Sequence, residues 1–97
     1  MVIHSELAIF WDGAKQLSGI LEIFETELTF QFEDFKHSHL GLRISFEEIQ
    51  YAKEFLLFNL TRNGLKIVSR DGKIDMFILD DSKSICELIN FQLAKVS

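Results

Sequence analysis

The segment His37-Ser38-His39 holds the most metal-like chemistry in the chain. Alternate residues of an extended segment point the same way, so both imidazoles could reach one ion. Asp34 or Glu33 stands close enough in sequence to be a third ligand. A structural metal site usually closes with four ligands, and no cysteine joins this set. The segment therefore reads as a polar loop between strands, and no metal or other cofactor is expected. The one cysteine, Cys86, has Ser82, Glu87 and Asn90 at nearby helical spacings and no neighbouring cation. A thiolate needs such a cation to form readily, so Cys86 reads as a structural thiol.

Other catalytic signals are weak. A nucleophile and its base must lie within hydrogen-bond reach, and no spacing in the chain names such a pair. Gly13, Gly19, Gly41, Gly64 and Gly72 are scattered and form no phosphate-cradling loop. The chain is expected not to be an enzyme.

The elements that position these residues are bounded by composition. A length of 97 residues suits one domain spanning 1–97. A chain this short buries a modest fraction of its surface, so its core must be dense. A hydrophobic content of 47% with ten phenylalanines supplies that density. The formal net charge of -5 argues against nucleic acid, whose phosphates demand clustered Lys and Arg. A single cysteine rules out a disulfide within the chain, and a reducing cytoplasm is the expected location. Residues Met1 to Leu7 lack the basic region of a signal peptide. No apolar run approaches the length of a membrane span.

Alternation then places the strands. Leu21 and Ile23 oppose Glu22, and Leu28, Phe30 and Phe32 oppose Thr29, Gln31 and Glu33. Period two predicts a hairpin turning at Glu25-Thr26-Glu27. Leu40, Leu42 and Ile44 predict a fourth strand, with Arg43 and Ser45 on its other face. Residues 53–60 predict a fifth, and Asn63-Gly64 the hairpin turn after it, because both residues tolerate positive φ. Asp71-Gly72 predicts a second such turn between strands 65–69 and 73–79. From Ile85 the period becomes helical through Leu88, Ile89, Leu93 and Val96, with Asp80, Asp81 and Ser82 placed to cap the helix. The first 17 residues fit either a helical stripe of Ile3, Leu7, Phe10, Trp11 and Ala14 or a strand around Leu7–Trp11. The strand is favoured, because an isolated short helix is marginal. The sum is a mainly β chain of about seven strands and one C-terminal helix.

That order resembles the pleckstrin-homology (PH)-like fold, a partly open antiparallel barrel capped by its last helix, and in particular the GRAM domain. The resemblance is carried by Gly19-Ile20-Leu21-Glu22-Ile23-Phe24-Glu25-Thr26-Glu27-Leu28-Thr29-Phe30, and by Leu42-Arg43-Ile44-Ser45-Phe46-Glu47-Glu48-Ile49 further on. It covers nearly the whole chain and implies a non-catalytic binding module. Many PH domains carry a Trp in the final helix, whereas the only Trp here is Trp11. Phosphoinositide binders of the family carry several basic residues around the first hairpin loop. Here Asp12-Gly13-Ala14-Lys15-Gln16 offers one.

Two binding surfaces follow. The resemblance implies that three loops crowd the open end of the barrel. There they bring Lys15, then Lys36, His37 and His39, then Arg70 and Lys73, a set able to attract an anion or an acidic membrane surface weakly despite the negative total. The second surface is apolar. Phe55-Leu56-Leu57-Phe58 and Met76-Phe77-Ile78-Leu79 do not alternate, so both faces of these strands are hydrophobic. One face packs inside. The other is expected to be covered within the chain, or else to meet a protein partner or a second copy through Phe55, Leu56, Leu57, Phe58, Met76 and Ile78.

Overall fold

The computed structural model describes residues 2–12, 15–32, 41–56 and 63–96. The strands are β1 (Val2–Asp12), β2 (Lys15–Phe24), β3 (Glu27–Phe32), β4 (Gly41–Ser45), β5 (Ile49–Leu56), β6 (Asn63–Ser69) and β7 (Ile74–Leu79), and one helix, α1 (Ser82–Val96), ends the chain. A 3-10 turn, Phe46–Glu48, joins β4 to β5. All strand pairs are antiparallel, in the order β4-β3-β2-β1-β7-β6-β5.

β1 joins the two halves of this sheet. It pairs with β2 along almost its whole length but with β7 only through Ile9, Phe10 and Trp11. The seam is packed with aromatic rings. Phe77 lies 5.4 Å from both Phe10 and Phe30, and Phe10 lies 5.9 Å from Phe30, centroid to centroid. Tilted and edge-on rings at such distances add to the benefit of burial. Around them Leu21, Ile23, Leu28, Ile44, Ile49, Leu65 and Ile67 complete the core. In β2 and β3 the alternation read from sequence holds: Leu21, Ile23, Leu28 and Phe30 are buried, and the residues between them are not.

The turns divide. Asp71-Gly72 behaves as its residues require. Gly72 takes φ +93°, its N–H donates to the Ser69 carbonyl at 2.9 Å, and the Asp71 carboxylate accepts from the Lys73 N–H at 2.9 Å. Asn63-Gly64 is not a turn. Both residues belong to β6, opposite Leu56 and Phe55 of β5 and opposite Leu79 and Ile78 of β7. Gly64 serves close approach instead, because a Cβ there would collide with the ring of Phe55. An aromatic ring covering a strand glycine fills the space its missing side chain leaves. Accordingly β5 begins at Ile49, earlier than composition placed it, and residues 57–60 lie outside the described residues.

Helix α1 packs on β5, β6 and the 3-10 turn. It buries Ile85, Cys86, Ile89 and Gln92, with Leu88 and Leu93 partly covered. Of the three residues expected to cap it, Asp81 holds the N-cap position. The Asp81 carbonyl accepts the first helical bond, from Ile85 N–H at 3.2 Å. Ser82 is already helical and fully buried, and its hydroxyl donates to the Glu54 carboxylate at 3.2 Å. The serine ties the helix to β5 and does not close the helix's own N–H groups.

Candidate functional site

Two surfaces carry the residues that could bind. The first is the end of the sheet where β1 turns into β2 and β6 into β7. Antiparallel register brings those connections together, since Asp12 faces Lys15 while Trp11 faces Met76 near the start of β7. Of the six candidate anion ligands, Lys36, His37 and His39 lie outside the described residues, as does the side chain of Lys15. Arg70 and Lys73 are described, and the fold uses both. The Arg70 Nε–H donates to the Glu47 carbonyl at 3.0 Å and its backbone N–H to the Glu48 carbonyl at 2.8 Å, which fixes Arg70 against the 3-10 turn. The Lys73 ammonium lies 3.9 Å from the carboxylate of Asp75.

Asp75 is the residue that pattern reading overlooked. It occupies an inward position of β7, opposite Ile67, and is only 3% exposed. One carboxylate oxygen has no hydrogen-bond partner. Burial raises its pKa above the ordinary carboxylate range, the Lys73 charge opposes the rise, and Asp71 adds to it. A buried carboxylate beside Lys73 diminishes what that lysine offers an anion.

The second surface is the outer face of the sheet. Of the expected contact residues, Phe55 and Met76 are half-buried and Ile78 is covered, while Leu56, 65% exposed, stands on the opposite face in register with Asn63 and Leu79. Leu57 and Phe58 lie outside the described residues. Ile78 is covered within the chain: its neighbours in register are Ile9 on β1 and Gly64 on β6, over which the Phe55 ring lies. The structure adds apolar residues that runs of hydrophobics did not reveal. Tyr51, Val68 and Ile74 line up across β5, β6 and β7, with Tyr51 and Ile74 exposed. Leu7 and Ile20 stand opposite each other on β1 and β2, and Leu7 is 72% exposed. Single exposed residues carry no signal in a sequence. Their alignment becomes visible only once register is known.

The remaining chemical candidates serve the fold. Cys86 is buried under β5, and its thiol donates to the Ala52 carbonyl at 3.5 Å. Burial pushes that thiol's pKa up, and the Glu54 carboxylate pushes it further. Such a group stays protonated and unreactive. Asn90 completes the contact. Its side-chain amide donates to the Ala52 carbonyl at 3.1 Å and accepts from the Ala52 N–H at 3.3 Å, as a neighbouring strand would. Among the described residues no three His, Cys, Asp or Glu side chains gather closely enough to hold a metal ion.

One curled antiparallel sheet closed by a C-terminal helix defines a PH-like fold, and solved structures agree. The chain superposes on the N-terminal PH domain of Vps36 with a TM-score of 0.81 at 11% identity, covering 99% of this chain and 80% of that one. It superposes on the C-terminal domain of an unknown protein from Leishmania infantum with a TM-score of 0.80 at 16% identity, covering 96% of this chain and 84% of that one. No family model and no curated protein matches the sequence. The likeness lies in the fold.

Proposed function

We propose that this chain is a non-catalytic binding module that acts by protein contact, including contact with a second copy of itself. Within the PH-like folds the segment Gly19–Phe30 supports a GRAM-type assignment. The observation that carries the protein-contact reading is the contrast between the two surfaces. At the loop end, both basic side chains described there already have partners within the chain. On the outer face of the sheet, Leu7, Tyr51 and Ile74 stand exposed. Large apolar side chains left in water at this density suit an interface better than a head-group site.

The reading predicts equal recovery of the protein on vesicles of neutral lipid and on vesicles enriched in phosphatidylserine. It also predicts a mass in light scattering that rises with protein concentration. Selective sedimentation with acidic vesicles, by a protein that stays monomeric throughout, would replace it with anion binding at the loop end.

A further inference from the structure

We propose that the N-terminal half of β1 is a self-association edge, onto which a second copy adds its own β1 antiparallel; this rests on the protein-contact reading above. From Val2 to Ala8 the backbone of β1 pairs with β2 alone, because β7 joins only at Ile9. Successive peptide groups of a strand point alternately to its two sides. Half of the N–H and C=O groups in this stretch therefore have no backbone partner among the described residues. Helix α1 packs elsewhere, on β5 and β6.

The side chains leave this edge open. Natural edges are commonly guarded by lysine, proline, bulges or inward charges. Val2–Ala8 has no lysine or proline, and its bulge between Val2 and His4 and its one acid, Glu6, leave the stretch from Ser5 to Ala8 regular. Apart from Ser5, its exposed residues are apolar: Val2 and Ile3, and above all Leu7, with Ile20 beside it on β2. Where β1 and β7 part, Leu7, Ile9, Ile78 and Asp80 line a groove alongside the unpaired backbone.

The stretch is also complementary to itself, and this selects the occupant. In an antiparallel pair centred on Ser5, His4 of each copy faces Glu6 of the other, and Ile3 faces Leu7. His4 and Glu6 share one face of β1, since their partners on β2, Ile23 and Leu21, are both buried. Within one chain the His4 Nε2 lies 3.3 Å from one oxygen of Glu6, and the other oxygen is buried with no hydrogen-bond partner. Each copy thus brings a carboxylate short of a donor to a position opposite an imidazole. A strand of unrelated sequence would match the backbone but not this charge pattern.

The centre of symmetry gives a direct test. Residues facing each other across an antiparallel pair lie about 4.5–5.5 Å apart at Cα, within the reach of a disulfide. Ser5→Cys in the full chain, oxidised with glutathione disulfide, is expected to give a covalent dimer. Glu22→Cys, opposite Ser5 on β2 and one strand in from the edge, is expected to stay largely monomeric. Cys86 is buried and does not compete. In light scattering the wild-type mass should rise from 11.3 kDa toward twice that value with concentration. Leu7→Lys should hold it at the monomer, whereas Ile74→Lys, the same change at another exposed apolar residue, should not. A dimer indifferent to Leu7→Lys, with no Ser5→Cys cross-link, would overturn the edge and leave self-association standing elsewhere. A monomer at every concentration without the cross-link would overturn both. Should Leu7→Lys fail to fold by circular dichroism, the cross-link decides alone.

Discussion

The two halves of the sheet bury themselves by different rules. From Leu21 to Gln31 the faces are separated: Leu21, Ile23, Leu28 and Phe30 point in, while Glu22, Thr29 and Gln31 point away. In β5, β6 and β7 each face is mixed. Asp75 sits among the inward residues of β7, while Phe55, Val68, Met76 and Ile78 stand on the outer side. Position in the sheet does not account for this, since β2 and β3 also have neighbours on both sides and β5 ends the sheet. The lesson is that the first half is held by its pattern and the second by particular contacts: a ring over a glycine, a carboxylate beside a lysine, an asparagine clasping a peptide group.

Three experiments test that division. The largest effect is expected at the seam, where the halves share one aromatic cluster. Phe30→Ala in the first half and Phe77→Ala in the second should each cost about 3–5 kcal/mol in a single cooperative transition on denaturant titration. Two separate transitions would show the halves to be independent units. Next is Gly64→Ala, which should cost about 1–3 kcal/mol, because the new methyl group meets the Phe55 ring. Adding Phe55→Ala should recover part of that loss, so the double-mutant cycle reports coupling. Additive losses would mean that the ring does not hold the register.

The smallest effect is expected at Asp75 and depends on pH. Its folded pKa is raised, chiefly by burial, so the charged form is disfavoured in the native state. Near neutral pH this group therefore subtracts from stability. The penalty fades as pH falls through the raised folded value toward the ordinary one. Asp75→Asn should stabilise the protein at about pH 7 and do so less at about pH 4. A gain equal at both values would mean that the carboxylate is not strained by its burial.

Much of the architecture was legible in the residues, and for the reason just given. Where one face is wet, as in β2 and β3, alternation states both the element and its orientation. The helix announced itself through Ile85 and Ile89, and the Asp71-Gly72 turn through the residue type its φ demands. Reading failed where one residue type serves two ends. Asn63-Gly64 suits a hairpin turn, but in this chain the glycine's missing side chain is used by a ring on the next strand. Ser82 suits a cap, but its hydroxyl reaches Glu54, which is distant in sequence. The candidate surfaces depended on register throughout. Neither the row Tyr51–Val68–Ile74 nor the unpaired length of β1 has a local signature, because each is a relation between strands.

The Phe55–Gly64 contact has a practical corollary. In most hairpins the connecting turn sets how two strands align, so its length is fixed. Here the ring and the glycine key β5 to β6 from within the ladder, so the register has a determinant apart from the connection between Leu56 and Asn63. Lengthening a connection costs little, about 0.6 kcal/mol for each doubling. This hairpin is therefore the natural place to graft a peptide tag or accept an insertion while the barrel behind it stays in frame.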